Sequence, residues 1–239
     1  MFQKWFQSKC GKSIALILAF VLFNGLVVDF VYGPHAYLNA YAAEKPPKKL
    51  PKLLQEVESK YRNSGTVIAD FAQTNFNKIT SQTTESKGKL FIKRPSKVRW
   101  ETFSPDPNLL IGDGKMFWYY TPPFDKDEKG QVIEKPASQV QSQLASSLLS
   151  GTFLVDQGMN VETKDARTFI LTPKREQSGG VARATIQVDP KKKLIHQVIL
   201  EHLGGNRTDI ILTNIQLGKT VNNDLFVFTP PPNTERVEE

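Results

Sequence analysis

Cysteine is almost absent from this chain of 239 residues, which has Cys10 alone. Cys10 precedes the apolar stretch of a predicted export segment, so the exported part carries no thiol. That part can form no disulfide, bind no zinc through thiolates and use no cysteine nucleophile. A bacterial lipoprotein signal has its cysteine directly after the apolar stretch, so we expect this chain to carry no lipid itself.

Catalytic motifs are lacking as well. The sequence contains no G-x-S-x-G, H-E-x-x-H or P-loop pattern. Gly112-Asp113-Gly114-Lys115 looks like a phosphate loop, but it lies between two predicted strands and is better explained as a hairpin turn. His196 and His202 fall on one predicted strand, roughly 20 Å apart, and cannot share a metal ion. We therefore predict no catalytic residues, no metal and no cofactor.

A concentrated positive surface is also missing. The chain has 31 basic and 24 acidic residues, a formal net charge of +7, and the excess is scattered. Nucleic-acid binding would require a basic stripe with exposed aromatic residues on a recognisable module. We predict no nucleic-acid partner.

The amino terminus has the organisation of a secretory signal. Lys4, Lys9 and Lys12 precede an apolar run at 14–23, and small residues before Glu44 offer a cleavage site. The apolar run is short for a membrane span, although a permanent anchor stays open as an alternative. We predict a cleaved signal peptide at 1–43, a Pro/Lys-rich linker at 44–49 and one domain at 50–239.

Strand patterns dominate that domain, with two amphipathic helices beside them. Pro51 opens a helix whose apolar positions recur at helical spacing, and Asn63-Ser64-Gly65 ends it. A second helix is predicted at 136–149, after a charged loop at 124–135, with Leu144 and Leu148 on its apolar face. The predicted strands are 66–77, 87–94, 97–103, 108–112, 115–121, 160–164, 167–173, 181–189, 193–202 and 207–217. Short strands joined by turns indicate an antiparallel meander or an open barrel.

Aromatic residues are more abundant on the early strands than a two-sided sheet requires. Alternation places Leu90, Ile92 and Arg94 on one strand face and pairs Val98 with Trp100. It also pairs Trp118 with Tyr120, and a curved sheet would turn all of these toward one concavity. They would form either a solid core or the wall of an apolar pocket beneath the helices.

Arg94 is the unusual member of this face. A buried guanidinium needs acceptors, because burying it unpaired is costly. Free carbonyls at the end of a covering helix would serve, and so would a carboxylate at the sheet rim. Both interpretations stay open from the residues alone.

An ordered set of short motifs resembles a known family, the periplasmic LolA outer-membrane lipoprotein carriers. The resemblance covers about residues 50–237 and rests on Phe71-Ala72-Gln73, Gly88-Lys89-Leu90-Phe91-Ile92-Lys93-Arg94-Pro95, Trp100, Asp113-Gly114-Lys115, Trp118, Tyr120 and Leu225-Phe226-Val227-Phe228-Thr229-Pro230-Pro231.

The resemblance implies a mainly β fold, namely an incomplete antiparallel β-barrel of about ten to eleven strands with a lid of short helices over an apolar cavity. It implies a monomeric, non-enzymatic carrier in the periplasm of a Gram-negative bacterium. Such a carrier takes triacylated lipoproteins from an inner-membrane ABC-type release complex to an outer-membrane receptor. Arg94 would be the lid latch, and the cavity would be lined by Phe71, Leu90, Ile92, Val98, Trp100, Trp118, Tyr120, Leu144 and Leu148.

Two alternatives remain beside the carrier. A periplasmic or membrane-tethered lipid sensor could use the same fold, particularly if 1–43 were not cleaved. A hydrolase would need a clustered nucleophile and base. The motifs say nothing about the partner of the charged residues 125–129, which look like a departure from the family.

Overall fold

The computed structural model describes residues 50–137, 159–174 and 180–237. These ranges contain one α-helix, α1 (Lys52–Ser64), and a 3-10 helix at Asn223–Phe226. They also contain twelve strands: β1 (Thr66–Asn77), β2 (Gln82–Lys93), β3 (Lys97–Ser104), β4 (Asn108–Gly112), β5 (Met116–Thr121), β6 (Gly130–Pro136), β7 (Met159–Thr163), β8 (Thr168–Pro173), β9 (Val181–Asp189), β10 (Leu194–His202), β11 (Arg207–Leu217) and β12 (Thr234–Arg236).

All twelve strands belong to one open sheet with the order β12-β6-β5-β4-β3-β2-β1-β11-β10-β9-β8-β7. Successive strands β1 to β6 pair antiparallel on one side of β1, and β11 back to β7 pair antiparallel on the other. β12 pairs parallel to β6. The chain thus forms two meanders joined through β1 and β11.

The ten predicted strands are confirmed, and two others were missed. β6 lies largely inside the stretch predicted as a charged loop. It was missed because its apolar pair, Val132-Ile133, is short and is flanked by polar residues. β12 has three residues and is held by pairing with β6 rather than by an apolar pattern. The mainly β class is confirmed, but the sheet is open, with one α-helix among the described residues instead of a lid of several.

The predicted second helix falls largely outside the described residues, as do Leu144 and Leu148. Its expected first residue, Pro136, instead ends strand β6. No helix within 50–137, 159–174 or 180–237 is both long and apolar enough to cross a membrane.

Helix α1 forms where the sequence predicts it. Pro51 precedes it, and the Gln55 N–H donates to the Pro51 carbonyl at 3.1 Å as the first helical bond. Leu54, Val57 and Tyr61 are buried on one face, at the spacing of an amphipathic helix. Gly65 stops it with φ of 70°, a left-handed conformation that glycine adopts without strain.

The tight turns are set by aspartate and asparagine side chains. The Asp113 carboxylate accepts the N–H groups of Lys115 and Met116 at 2.7 and 2.8 Å. Asp189 accepts those of Lys191 and Lys192, both at 2.9 Å. Such side-chain bonds copy a backbone turn, which is why these residues predicted strand ends correctly.

Candidate functional site

The sheet has a core face, which α1 covers, and an outer face. Five residues predicted to line one concavity all lie buried on the core face, where side chains of α1 and both meanders form one cluster: Phe71, Leu90, Ile92, Val98 and Trp100. The pairing explains this, since Leu90 lies opposite Trp100 and Ile92 opposite Val98 on the neighbouring strand. Directly opposed residues share a face.

An aromatic pair forms the centre of this cluster. The rings of Phe71 and Trp100 lie 4.2 Å apart between centroids, tilted by 34°. Gly88 makes room for them, because a Cβ there would stand 2.6 Å from the Phe71 ring and 1.9 Å from the Glu101 carbonyl oxygen. A close approach of this kind is a specific reason for glycine inside a strand.

Helix α1 is attached to the sheet through apolar contacts and a few polar ones. The Tyr61 hydroxyl accepts the Ile195 N–H of β10 at 3.1 Å. At the turn before β10, the Lys60 ammonium donates to the Lys192 carbonyl at 2.6 Å, and Lys193 pairs with Glu56 at 2.8 Å. Exposed pairs contribute little. The burial of Leu54, Val57 and Tyr61 therefore supplies most of the attachment.

Arg94 meets the carboxyl end of α1. Its Nε donates to the Tyr61 carbonyl at 3.2 Å, and its backbone N–H donates to the Gly65 carbonyl at 2.9 Å. The end of a helix presents carbonyls with no partner in the helix, and a cation there is favourable. Burial and the charge of Arg62 lower the pKa of Arg94, while the nearby Glu58 carboxylate opposes that shift. Glu58 in turn pairs with Arg62.

The prediction that Trp118 and Tyr120 share this face is wrong. Trp100 lies opposite Leu110, and Leu110 lies opposite Tyr119, so Tyr119 and Phe117 occupy the core face. Trp118 and Tyr120 point to the outer face, where both pack on Phe228, with ring centroids 6.2 and 5.5 Å apart. A shift of one residue in hairpin register moves every side chain to the other face, and the sequence does not fix that parity.

The sequence did not assign four residues to this face, three of them because of the strand register and Tyr61 because its contact is made from α1. Leu110, Phe117, Tyr119 and Tyr61 all belong to or pack against the core cluster. Burial raises the pKa of both tyrosines to about 12. The helical spacing of the sequence predicts Tyr61 only as one apolar position of α1. Its hydroxyl contact with Ile195 depends on a strand 134 positions away and has no local signal.

His196 and His202 lie on β10, as predicted. His196 Nδ1 and His202 Nε2 are buried without a hydrogen-bond partner among the described residues, and burial lowers the pKa of His202. Within the described part of the chain, no group of His, Asp and Glu is arranged to hold a metal ion.

A groove of about 640 Å³ opens on the outer face, where the ends of β1, β10 and β11 meet. Its lining is mixed, and includes Phe76, Glu201, His202, Arg207 and Asp209. Phe76 is five positions from Phe71 on the same strand, so the two point to opposite faces. The groove is therefore separate from the apolar face beneath α1.

Sequence comparison agrees with this architecture. The family model described as "Outer membrane lipoprotein carrier protein LolA" matches residues 62–229. An outer-membrane lipoprotein carrier protein of Azotobacter vinelandii is 25% identical over 222 residues, covering 91% of this chain and 99% of its own length. One from Nitrosomonas europaea is 26% identical over 179 residues, covering 73% of this chain and 83% of its own.

Solved structures give weaker similarity. A LolA superfamily protein from Nitrosomonas europaea aligns over 74% of this chain and 96% of its own, with a TM-score of 0.44 and 11% identity. A protein from Thermus thermophilus aligns over 77% and 99%, with a TM-score of 0.46 and 12% identity. These superpositions add nothing to the family match, which spans most of the chain from α1 to the residues after the 3-10 helix. On that match, the chain belongs to the LolA family of outer-membrane lipoprotein carrier proteins.

Proposed function

We propose that this protein carries lipoproteins by sheltering their acyl chains between α1 and the core face of the sheet. The family match over residues 62–229 is the observation that carries this proposal. The apolar face that α1 covers supports it, because a carrier for acyl chains needs an apolar surface that can be uncovered and covered again. No bond of the cargo is made or broken in this function.

The physical need for a carrier follows from the hydrophobic effect. Burying a methylene group contributes about 0.8 kcal/mol, so a sixteen-carbon chain resists transfer to water by roughly 12 kcal/mol. A lipoprotein with three such chains would not cross an aqueous space on a useful timescale. The carrier must hide this surface, yet bind it less strongly than the acceptor does.

Arg94 is proposed as the latch that holds α1 on the sheet. Its Nε bond to the Tyr61 carbonyl joins the end of β2 to the last turn of the helix. A hydrogen bond involving a charged group contributes about 1.5–3 kcal/mol. That is enough to favour the closed position and small enough for acyl chains to replace it.

Gly65 is proposed as the hinge for this movement. It is the one residue between the end of α1 at Ser64 and the start of β1 at Thr66, and a Cβ there would meet nothing within 4 Å. Rotation at this residue would lift Leu54, Val57 and Tyr61 from the sheet. Phe71, Leu90, Ile92, Val98 and Trp100 would then be available to acyl chains, with Leu144 and Leu148 as further proposed lining.

The finer assignments rest on the family resemblance. We propose that residues 1–43 are removed on export, that 44–49 link the cleavage site to a carrier domain at 50–239, and that the mature protein is a periplasmic monomer. Its proposed partners are triacylated lipoproteins, an inner-membrane ABC-type release complex and an outer-membrane receptor. Protein sequencing of the mature amino terminus tests the cleavage; an intact Met1 would instead favour the tethered lipid sensor.

The Arg94→Leu variant tests the latch. We expect it to fold, to be purified with more bound acylated cargo than the wild type, and to deliver less of that cargo to acceptor membranes, because the open form is favoured. Mass spectrometry of co-purified acyl chains measures loading, and transfer of a labelled lipoprotein to outer-membrane vesicles measures delivery.

Arg99→Leu is the matched control. Arg99 also donates to a backbone carbonyl, that of Leu225 at 3.3 Å, but it does so on the outer face. Its loss should leave loading and delivery unchanged. If Arg94→Leu loads and delivers as the wild type does, the latch assignment is wrong; if wild-type protein never contains acyl chains, the carrier proposal itself fails.

A further inference from the structure

Two turns meet at one end of the sheet and form a surface that we name the hairpin tip, residues 78–81 and 203–206. The Lys78 N–H donates to the Asn206 side-chain oxygen at 3.0 Å. The Lys78 side chain crosses Gly205, where a Cβ would stand 2.3 Å from its Cδ. The β1–β2 turn and the β10–β11 turn therefore form one joint surface.

The hairpin tip exposes two large aliphatic side chains to solvent. Ile79 is 90% exposed and Leu203 is 67% exposed, while Phe76 just below them is 39% exposed. Single exposed apolar residues are common, but two of them on turns that Lys78 joins give this end of the sheet an exposed apolar surface. Turn positions ordinarily favour polar residues and glycine, so packing and turn chemistry explain neither residue.

The backbone of both turns is held in place before any partner binds. The Asn77 side-chain oxygen accepts the N–H groups of Ile79 and Thr80 at 2.9 and 3.1 Å. On the other turn, the Leu203 N–H donates to the Gly180 carbonyl and the Gly205 N–H to the His202 carbonyl, both at 2.8 Å. Such bonds lower the entropy lost on contact.

We propose that the hairpin tip inserts Ile79 and Leu203 into the interfacial layer of an anionic lipid membrane. Two aliphatic side chains are far below the roughly 800 Å² per partner of a stable protein interface, but they suit shallow, reversible contact with lipid. Lys78 is the one charged side chain in the two turns, and Arg207 follows directly. A cation beside inserted apolar residues favours anionic headgroups.

The location separates this contact from cargo binding. Phe76 lies on the outer face. The β1–β2 turn joins the polar halves of the two strands, whereas α1 and Arg94 lie at the opposite ends of these strands. Membrane contact at the tip thus goes beyond the proposed carrier function and can be tested without cargo.

A site-specific reporter tests insertion. The Ile79→Trp variant, mixed with vesicles of phosphatidylethanolamine and phosphatidylglycerol, should give a blue-shifted difference emission over the wild type and quenching by brominated acyl chains. The Val227→Trp variant is the control, since Val227 is 63% exposed but lies away from both turns, in the segment after β11 (residues 221–237). It should give neither signal. Because the added tryptophan reports on its own surroundings, its signal shows lipid contact at the tip even if residues 1–43 also bind the vesicle.

Binding by the unlabelled protein completes the test. The double variant Ile79→Ser with Leu203→Ser should partition onto the same vesicles about tenfold more weakly, and Val227→Ser should bind as the wild type does. Lys78→Glu should weaken binding and reduce its salt dependence. Failure of the position-79 reporter to shift, or equal binding by the double variant, overturns the proposal. Impaired delivery without any vesicle binding would assign the tip to a protein partner and overturn it too. Loading with acyl chains should stay unchanged in the double variant.

Discussion

The core face and the outer face of this sheet are both covered by a segment of the same chain, but the two covers are attached differently. Helix α1 lies on the core face with one residue between it and β1. Its polar contacts are with Arg94, with the turn before β10 and, through the Tyr61 hydroxyl, with Ile195 at the start of β10. The carboxyl-terminal segment, 221–237, crosses the outer face from β3 to β6 and contacts the sheet at several points along its length. The proposed movement of α1 requires the first kind of attachment, whereas the second ties the carboxyl-terminal segment to several strands.

The outer cover shows what permanent attachment involves. Phe226 is fully buried, together with Ile111 and Val132 at 1% and 0% exposure. Lys93 and Arg99 donate to the carbonyls of Val221 and Leu225 at 2.9 and 3.3 Å. Beyond Phe228, β12 pairs with β6 and adds backbone bonds to the sheet. Displacing this segment would expose the buried side chains of Phe226, Ile111 and Val132. It would also expose the backbone N–H and C=O groups through which β6 pairs with β12.

The largest expected effect follows from breaking the outer cover. Phe226→Ala should lower the free energy of unfolding by about 3–5 kcal/mol, because it leaves a cavity in a fully buried position. Urea denaturation measures the change. Acyl loading per folded molecule should not fall, since Phe226 lies on the face opposite to α1.

Leu54→Ala, a comparable truncation under α1, sharpens the comparison. Leu54 is 1% exposed. We expect hydrogen exchange to accelerate mainly in α1, with β4–β6 unchanged, whereas Phe226→Ala should accelerate exchange in β3–β6. Equal acceleration throughout both variants would show that α1 is as permanent as the outer cover.

The next effect concerns alkaline pH. Burial raises the pKa of Tyr61 from 10.0 to about 12. The unfolded chain therefore loses the proton first, so the contribution of Tyr61 is fully present below pH 10 and is lost as pH rises toward 12. The free energy of unfolding should fall by about 2–3 kcal/mol over this range from this group.

Tyr61→Phe identifies that contribution. The variant should lose less stability across the alkaline range than the wild type, in paired urea titrations at each pH. A remaining decrease is expected, because burial also raises the pKa of Tyr119 to about 12. An unchanged pH dependence in Tyr61→Phe would mean that α1 opens before Tyr61 titrates.

The smallest effect tests the position of Trp118. Phe228→Ala removes two ring contacts on the outer face, with Trp118 and Tyr120. Each such contact contributes about 0.5–1.5 kcal/mol beyond the buried area. The Trp118 emission should shift to the red as its neighbour is lost. If a bound acyl lipid instead shifts it while Phe228→Ala does not, Trp118 lines the cargo face after all.

The distribution of the aromatic residues illustrates how far the sequence could be interpreted. Alternation within β2 and β3 correctly grouped Leu90, Ile92, Val98 and Trp100, because a strand fixes the relative direction of its own side chains. Transfer of that grouping to β5 failed at Trp118 and Tyr120. The missing information was the pairing of Gly112 with Phe117 across the hairpin.

Strand β6 and the segment 221–237 likewise depend on contacts between residues far apart in the sequence. β6 and β12 are short and partly polar, so neither has a clear strand pattern of its own. They form strands because they pair with each other, about a hundred positions apart in the sequence. Arg94 differs, because a guanidinium on an apolar face already required an acceptor. Its acceptor, the Tyr61 carbonyl, became evident only when the end of α1 was placed beside β2.

The sequence by itself determined the mainly β class, helix α1, ten of the strands and the turns, since local alternation and aspartate-based turns need no distant partner. Tertiary structure alone decided which aromatic residues share the face under α1, how the carboxyl-terminal segment seals the other face, and that the two turns of the hairpin tip adjoin. These depend on strand register and on contacts between residues far apart in the chain, which local pattern does not encode.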